Sequence, residues 1–94
     1  MVNGTGTAVI DFGAGSNEAQ VFVSVPEILA ACNVEAWIMA DDTSTDHTAN
    51  DHKYFGVFAA LTCGTPEELS GFTIYARSTQ KMTGKWSIRY VWAD

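Results

Sequence analysis

The stretch Lys85-Trp86-Ser87-Ile88-Arg89-Tyr90-Val91-Trp92-Ala93 decides the fold. Its large side chains Trp86, Ile88, Tyr90 and Trp92 fall on every second position, with Ser87, Arg89 and Val91 between them. A period of two is the spacing of an extended chain with one covered face, because successive side chains of a strand point to opposite sides. The pair Thr83-Gly84 ahead of it supplies the turn chemistry from which such a strand starts. Regular alternation with Ile88 favours the inward face of a sandwich for Trp86, Tyr90 and Trp92, with Trp37 beside them. The opposite placement, a stripe of exposed rings, would make a stacking platform for a sugar or an interface anchor.

Moving outward, the same period recurs with short breaks. Phe72 to Arg77 reads as a strand after the Gly64-Thr65-Pro66 turn and Glu67-Glu68-Leu69-Ser70-Gly71, and Lys53 to Cys63 reads as a long apolar strand in which Gly56 marks a bulge or a close backbone approach. Val34 to Ala40 puts Val34, Ala36, Ile38 and Ala40 on one face and Glu35, Trp37 and Met39 on the other; with one charge in the run, both faces are expected to be covered. Ala19 to Val25 alternates cleanly and ends at Pro26, which lacks an amide donor. Thr5 to Gly13 precedes it, and the permissive turn Gly13-Ala14-Gly15-Ser16-Asn17 predicts that these two strands form a hairpin. Glu27 to Asn33 is a connection. The expectation is one domain over residues 1–94, all-β: a single antiparallel β-sandwich, jelly-roll-like, of about six strands, with a polar loop at 41–52 that has room for one helical turn capped by Ser44 or Thr45.

Composition narrows the function classes. Of the 94 residues, 47% are hydrophobic and 17% charged, which is globular rather than disordered. The longest apolar stretches, such as Ile28 to Cys32, are too short to cross a bilayer, and no basic start leads into an apolar run, so a soluble chain made in the cytosol is expected, with no membrane partner. The net charge of −6 disfavours nucleic acid as a partner, since neutralising phosphates needs clustered Lys and Arg. The charges are uneven: residues 1–52 hold eight acids and no Lys or Arg, whereas 53–94 hold all five Lys and Arg against three acids. Folding is expected to intermix the two sets; kept apart, they would drive head-to-tail self-association that weakens with salt. Cys32 and Cys63 sit in apolar settings without a CxxC or an adjacent His, which favours two reduced, buried thiols.

The polar run Asp41 to His52 is the natural place to seek chemistry. Asp42, Ser44 and Asp46 have the alternate spacing that opens a calcium loop, but His47 stands where that loop needs Gly, and Lys53 where it needs a bidentate Glu. His47 and Asp51, four apart, would share one face of a helix, yet two ligands do not hold a transition metal. A solvated loop whose carboxylates and imidazoles, His52 included, cap turns and pair locally is the simpler reading. No nucleophile elbow, phosphate-binding loop or His-Glu-x-x-His motif is present, and Glu67-Glu68 reads as a solvent-facing cap. The residues therefore predict no enzyme, no cofactor and no metal, with Trp37, Trp86, Tyr90, Trp92 and the 41–52 loop as candidate interface or ligand contacts.

Several blocks, taken in order, resemble a known group. These are Thr7-x-x-Ile10-Asp11-Phe12-Gly13, Val34-Glu35-Ala36-Trp37-Ile38-Met39-Ala40, the Asp-His pairs at 46–47 and 51–52, Gly71-Phe72-Thr73-Ile74-Tyr75-Ala76-Arg77, and Thr83-Gly84 ahead of Arg89-x-x-Trp92. Together they span nearly the whole chain and are similar to small proteins encoded among the structural genes of tailed bacteriophages. The resemblance implies a virion protein made in the host bacterial cytoplasm, a capsid decoration or cement protein or a small tail component. Its expected partners are coat or tail proteins and copies of itself as a homo-oligomer. It implies no catalytic residue. A receptor- or glycan-binding module of a head or tail fibre is the alternative, and a small hydrolase using the Asp/His loop a third.

Overall fold

The computed structural model describes residues 3–38 and 49–93. They form an all-β sandwich with one helix: β1 (Asn3–Asp11), β2 (Ser16–Ser24), β3 (Asn33–Ile38), α1 (Ala49–Phe58), β4 (Ala59–Cys63), β5 (Gly71–Met82) and β6 (Lys85–Ala93). Two antiparallel three-stranded sheets, in the orders β1-β6-β3 and β2-β5-β4, face each other. Their inner faces supply a core that includes Ile10, Val23, Phe72, Ile74, Ala76, Trp86, Ile88 and Trp92. Each fully buried Ile or Phe there contributes roughly 1.5–3 kcal/mol.

The predicted hairpin between the first two strands does not form. β1 pairs with β6, and β2 with β5, so the chain between β1 and β2 passes from one sheet to the other. Gly13 (φ 66°) turns that corner, its N–H donating to Asp11 Oδ1 at 2.7 Å. The crossing runs beside the β5–β6 connection: the Phe12 N–H donates to the Gly84 carbonyl at 2.9 Å, and the Gly84 N–H to the Gly13 carbonyl at 3.0 Å. Residues 3–24 and 71–93 are thus two long antiparallel arms, bent together over the core. That is a jelly-roll wrap shortened to six strands. Glycines and a short polar run mark a corner here rather than a reversal, because each arm finds a better partner far away in sequence.

The Lys53 to Cys63 strand is also corrected. Residues up to Phe58 are helical, and only Ala59–Cys63 are extended. As a strand, Phe55, Val57 and Ala59 would share a face; as a helix, Phe55 turns inward and Val57 faces water at 74% exposure. Phe55 is wholly buried, its ring edge-on to Phe12 (centroids 5.6 Å) and tilted on Trp86 (4.5 Å). Asp51 in the first turn suits the helix N-terminus. Packing of one ring overrides the β-propensity of Tyr-Phe-Gly-Val-Phe, and Gly56, expected at a bulge or a close backbone approach, is an exposed helix position with open space around it.

On β6 the alternation reads correctly: Trp86 and Trp92 are buried and Tyr90 half-buried. The indole N–H of Trp86 donates to the Thr83 carbonyl at 3.0 Å, which satisfies the one polar atom this ring brings inside. Opposite these rings β1 is small where β6 is large: Gly4 faces Trp92, Gly6 faces Tyr90 and Ala8 faces Ile88. A Cβ on Gly4 would lie 2.7 Å from Trp92 Cζ2, and one on Gly6 2.7 Å from Tyr90 Cζ. Gly6→Ala is accordingly expected to lower stability by about 1–3 kcal/mol. The cost should be smaller when Tyr90→Leu is present, read as non-additivity in a double-mutant cycle of urea unfolding.

Trp37 departs from its expected place in the core. It lies on the outer face of β3 in register with Arg89, 38% exposed, with Glu35 exposed on the same face. Among the described residues of this run Val34, Ala36 and Ile38 pack inward, whereas Glu35 and Trp37 are exposed, so the expectation that both faces are covered does not hold there; Met39 and Ala40 lie outside the described residues. β5 runs on past Arg77 to Met82, its buried Ser78 hydroxyl accepting the Gln80 N–H at 3.2 Å. The 25–32 and 64–70 connections hold each other, with the Leu69 N–H donating to the Ile28 carbonyl and the Ala30 N–H to Glu68 Oε1, each at 2.7 Å.

Candidate functional site

Four of the five cations of the second half, Arg77, Lys81, Lys85 and Arg89, stand on the central strands β5 and β6, beside edge strands that carry Asp11, Glu18 and Glu35. Arg77 Nε–H donates to Glu18 Oε1 at 2.9 Å and its Nη2 reaches the same oxygen, while Lys85 stands opposite Asp11 in the β1/β6 register. Opposite charges are therefore intermixed on the sheet faces. Both ends of the Glu18–Arg77 pair are exposed, so it orients the two side chains more than it stabilises the fold.

The outer face of β2-β5-β4 holds an open depression of about 540 Å³. Registration builds its floor in two rows: Gln20, Tyr75 and Thr62 in one, Glu18, Arg77 and Ala60 in the next. Tyr75, 45% exposed, stands at the centre; Gly64 leaves space for its ring, since a Cβ there would lie 3.3 Å from it. Phe22, 48% exposed, continues the apolar surface one row along, opposite Thr73. The lining has no His or Cys, and its one carboxylate is held by Arg77. What it offers is an aromatic face flanked by an amide, a hydroxyl and a neutralised ion pair, which is binding chemistry.

Of the residues singled out in the sequence, Trp86 and Trp92 are core and cannot serve as a stacking platform, and Tyr90 is half-buried against Phe72 (centroids 5.5 Å). Trp37 is on the surface. Asp42, Asp46 and His47 lie outside the described residues, as do the proposed caps Ser44 and Thr45; Asp51 and His52 fall at the start of α1. Among the described residues, no group of three or more His, Cys, Asp or Glu is placed to hold a metal ion. Cys32 and Cys63 are free; burial pushes the Cys63 thiol up from its ordinary value, with the negative charge of Glu35 adding to the shift. No helix among the described residues is long and apolar enough to cross a membrane.

Gln20, Phe22, Tyr75 and Arg77 were missed as surface contacts, although the alternation carries a signal for them. Phe22 is in phase with polar Gln20 and Ser24, Tyr75 with Thr73 and Arg77, Val9 with Thr5 and Thr7, and Trp37 with Glu35. A large apolar side chain in the polar phase of a strand is one the core does not take, and all four are exposed. No protein-family model, curated protein or solved structure matches the chain.

Proposed function

We propose that this chain is a non-enzymatic structural component of a tailed-bacteriophage particle, a capsid decoration or cement protein or a small tail part, working through protein–protein contacts. The observation that carries the contact role is the set of large side chains held outside the core on both sheets: Val9 and Trp37 on one outer face, Phe22 and Tyr75 on the other. Aromatic residues are the usual anchors of protein interfaces. The sequence blocks resembling phage structural proteins support the setting, and a jelly-roll wrap is a fold that capsid proteins use, an argument by analogy alone. In this reading the chain is made in the bacterial cytoplasm and resides in the virion, with coat or tail proteins and its own copies as partners and no nucleic acid. Quantitative mass spectrometry of purified particles tests it: a simple large fraction of the major coat protein's copy number is expected for a capsid role, and a few copies for a tail role. Absence from particles overturns it.

The Tyr75 depression favours a second reading, a glycan-binding module, since a half-exposed ring flanked by Gln20 and Thr62 suits a neutral sugar. Titration with methyl glycosides, followed by NMR, is then expected to shift the Gln20 side-chain amide and to lose that shift in Tyr75→Ala. No shift with any glycoside removes this reading.

A further inference from the structure

β1 is an edge strand, and its ladder with β6 fixes which of its backbone groups face outward. Phe12 donates its N–H to the Gly84 carbonyl at 2.9 Å, one step beyond Asp11 and Lys85 in the β1/β6 register. Hydrogen-bonded pairs in an antiparallel ladder recur at every second residue. The even-numbered residues of β1 thus direct their N–H and C=O toward β6, and Thr5, Thr7 and Val9 direct theirs away from the sheet. Among the described residues no strand lies on that side.

Unpaired edges are normally blunted by charge, proline or a bulge. β1 has an unbroken register over Asn3–Asp11, no Lys, Arg or Pro, and no charge before Asp11. The other edges differ: β2 carries a register shift beside Glu18, β3 has Glu35 in its middle, and β4 is short, five residues against the nine of β1.

We propose that a second copy of this chain adds its β1 to this edge, antiparallel and centred on Thr7, to make one continuous sheet across a two-fold axis. The argument for a second copy is self-complementarity. With Thr7 opposite Thr7, Thr5 meets Val9, each outward backbone group meets another outward group, and the facing side chains are β-branched pairs of the kind that stabilise sheets. A chain of net charge −6 repels itself over most approaches, but here the strip from Asn3 to Ile10 is uncharged and Asp11 falls opposite the second copy's Asn3. Val9, 50% exposed, gains cover at the same time. The inference rests on the reading of the chain as an assembling unit and specifies one of its contacts.

Sedimentation equilibrium of the full chain over a wide concentration range tests it, with Thr7→Lys and Thr7→Pro as variants. Lysine places like charges face to face on the axis, and proline removes an N–H that the β1/β6 ladder does not use. The wild-type chain is expected to dimerise, and each variant to weaken the dimer by at least about tenfold while thermal unfolding of the variant monomers shows them still folded. A chain monomeric at every concentration, or a dimer indifferent to Thr7→Lys, overturns the proposal. Incorporation into particles is measured separately, so a monomer found in virions refutes this contact and leaves the structural role standing.

Discussion

Gly71→Ala is expected to unfold most of the protein. Gly71 opens β5 at φ 153°, buried, with its carbonyl accepting the Glu67 N–H at 2.7 Å. A Cβ on it would overlap the Val23 carbonyl oxygen and stand 3.0 Å from both the Val23 carbonyl carbon and Phe22 Cζ. The obstacle is main chain in the β2/β5 ladder, where Val23 pairs with Phe72, so it cannot swing aside as a side chain would. Relief would require prising β2 away from β5. The expected loss is at least about 4 kcal/mol, a large part of the roughly 5–15 kcal/mol that holds a domain together. Gly13→Ala is the control: Gly13 also has positive φ (66°), but a Cβ there meets nothing within 4 Å, so only the left-handed backbone cost of about 1–2 kcal/mol applies. Equal unfolding midpoints for the two variants in urea would sink this account.

Phe55→Ala is expected to cost about 3–5 kcal/mol. Among the described side chains of α1, Phe55 is wholly buried; Gly56 and Val57, which follow it, face solvent. Its removal leaves a void between Phe12 and Trp86, rings it contacts from the helix side. Because Phe55 covers the Trp86 ring, the loss should also show as red-shifted tryptophan emission and weakened near-ultraviolet circular dichroism. Val57→Ala, on the exposed side of the same helix, is expected to change stability by no more than about 0.5 kcal/mol. A Phe55→Ala chain as stable as Val57→Ala would mean that α1 is not anchored by this ring.

The two-layer β architecture was legible because alternation on four of the strands is clean and because Trp86, Ile88 and Trp92 are too large to leave outside. The pairing of those strands was not. A glycine-rich turn between two alternating runs is the local signature of a hairpin, and nothing local distinguishes it from a corner at which both runs leave for distant partners. Likewise, Tyr-Phe-Gly-Val-Phe satisfies the strand pattern as well as the helix pattern, and a pocket waiting between Phe12 and Trp86 decides for the helix. The surface was half-legible. Residue type alone, Asp, His or Trp, does not mark the surface contacts; phase does, since Phe22, Tyr75 and Trp37 stand out only against the polar neighbours with which they share a face.

The place of β6 at the centre of its sheet, between β1 and β3, bears on how the chain comes off the ribosome. It is the last of the six strands to be synthesised, yet β1, the first, pairs with no other strand among the described residues, and β5 must meet β2 across most of the sequence. Until β6 emerges, the nascent protein holds two strands with an empty slot between them, and their glycine-lined and apolar inner faces are open to any passing extended chain. Folding dominated by such distant pairings is slow and is exposed to misassociation on the way. Production in the cell should therefore depend on how quickly the β6 segment follows the earlier strands and on chaperones that shield the gap until it does.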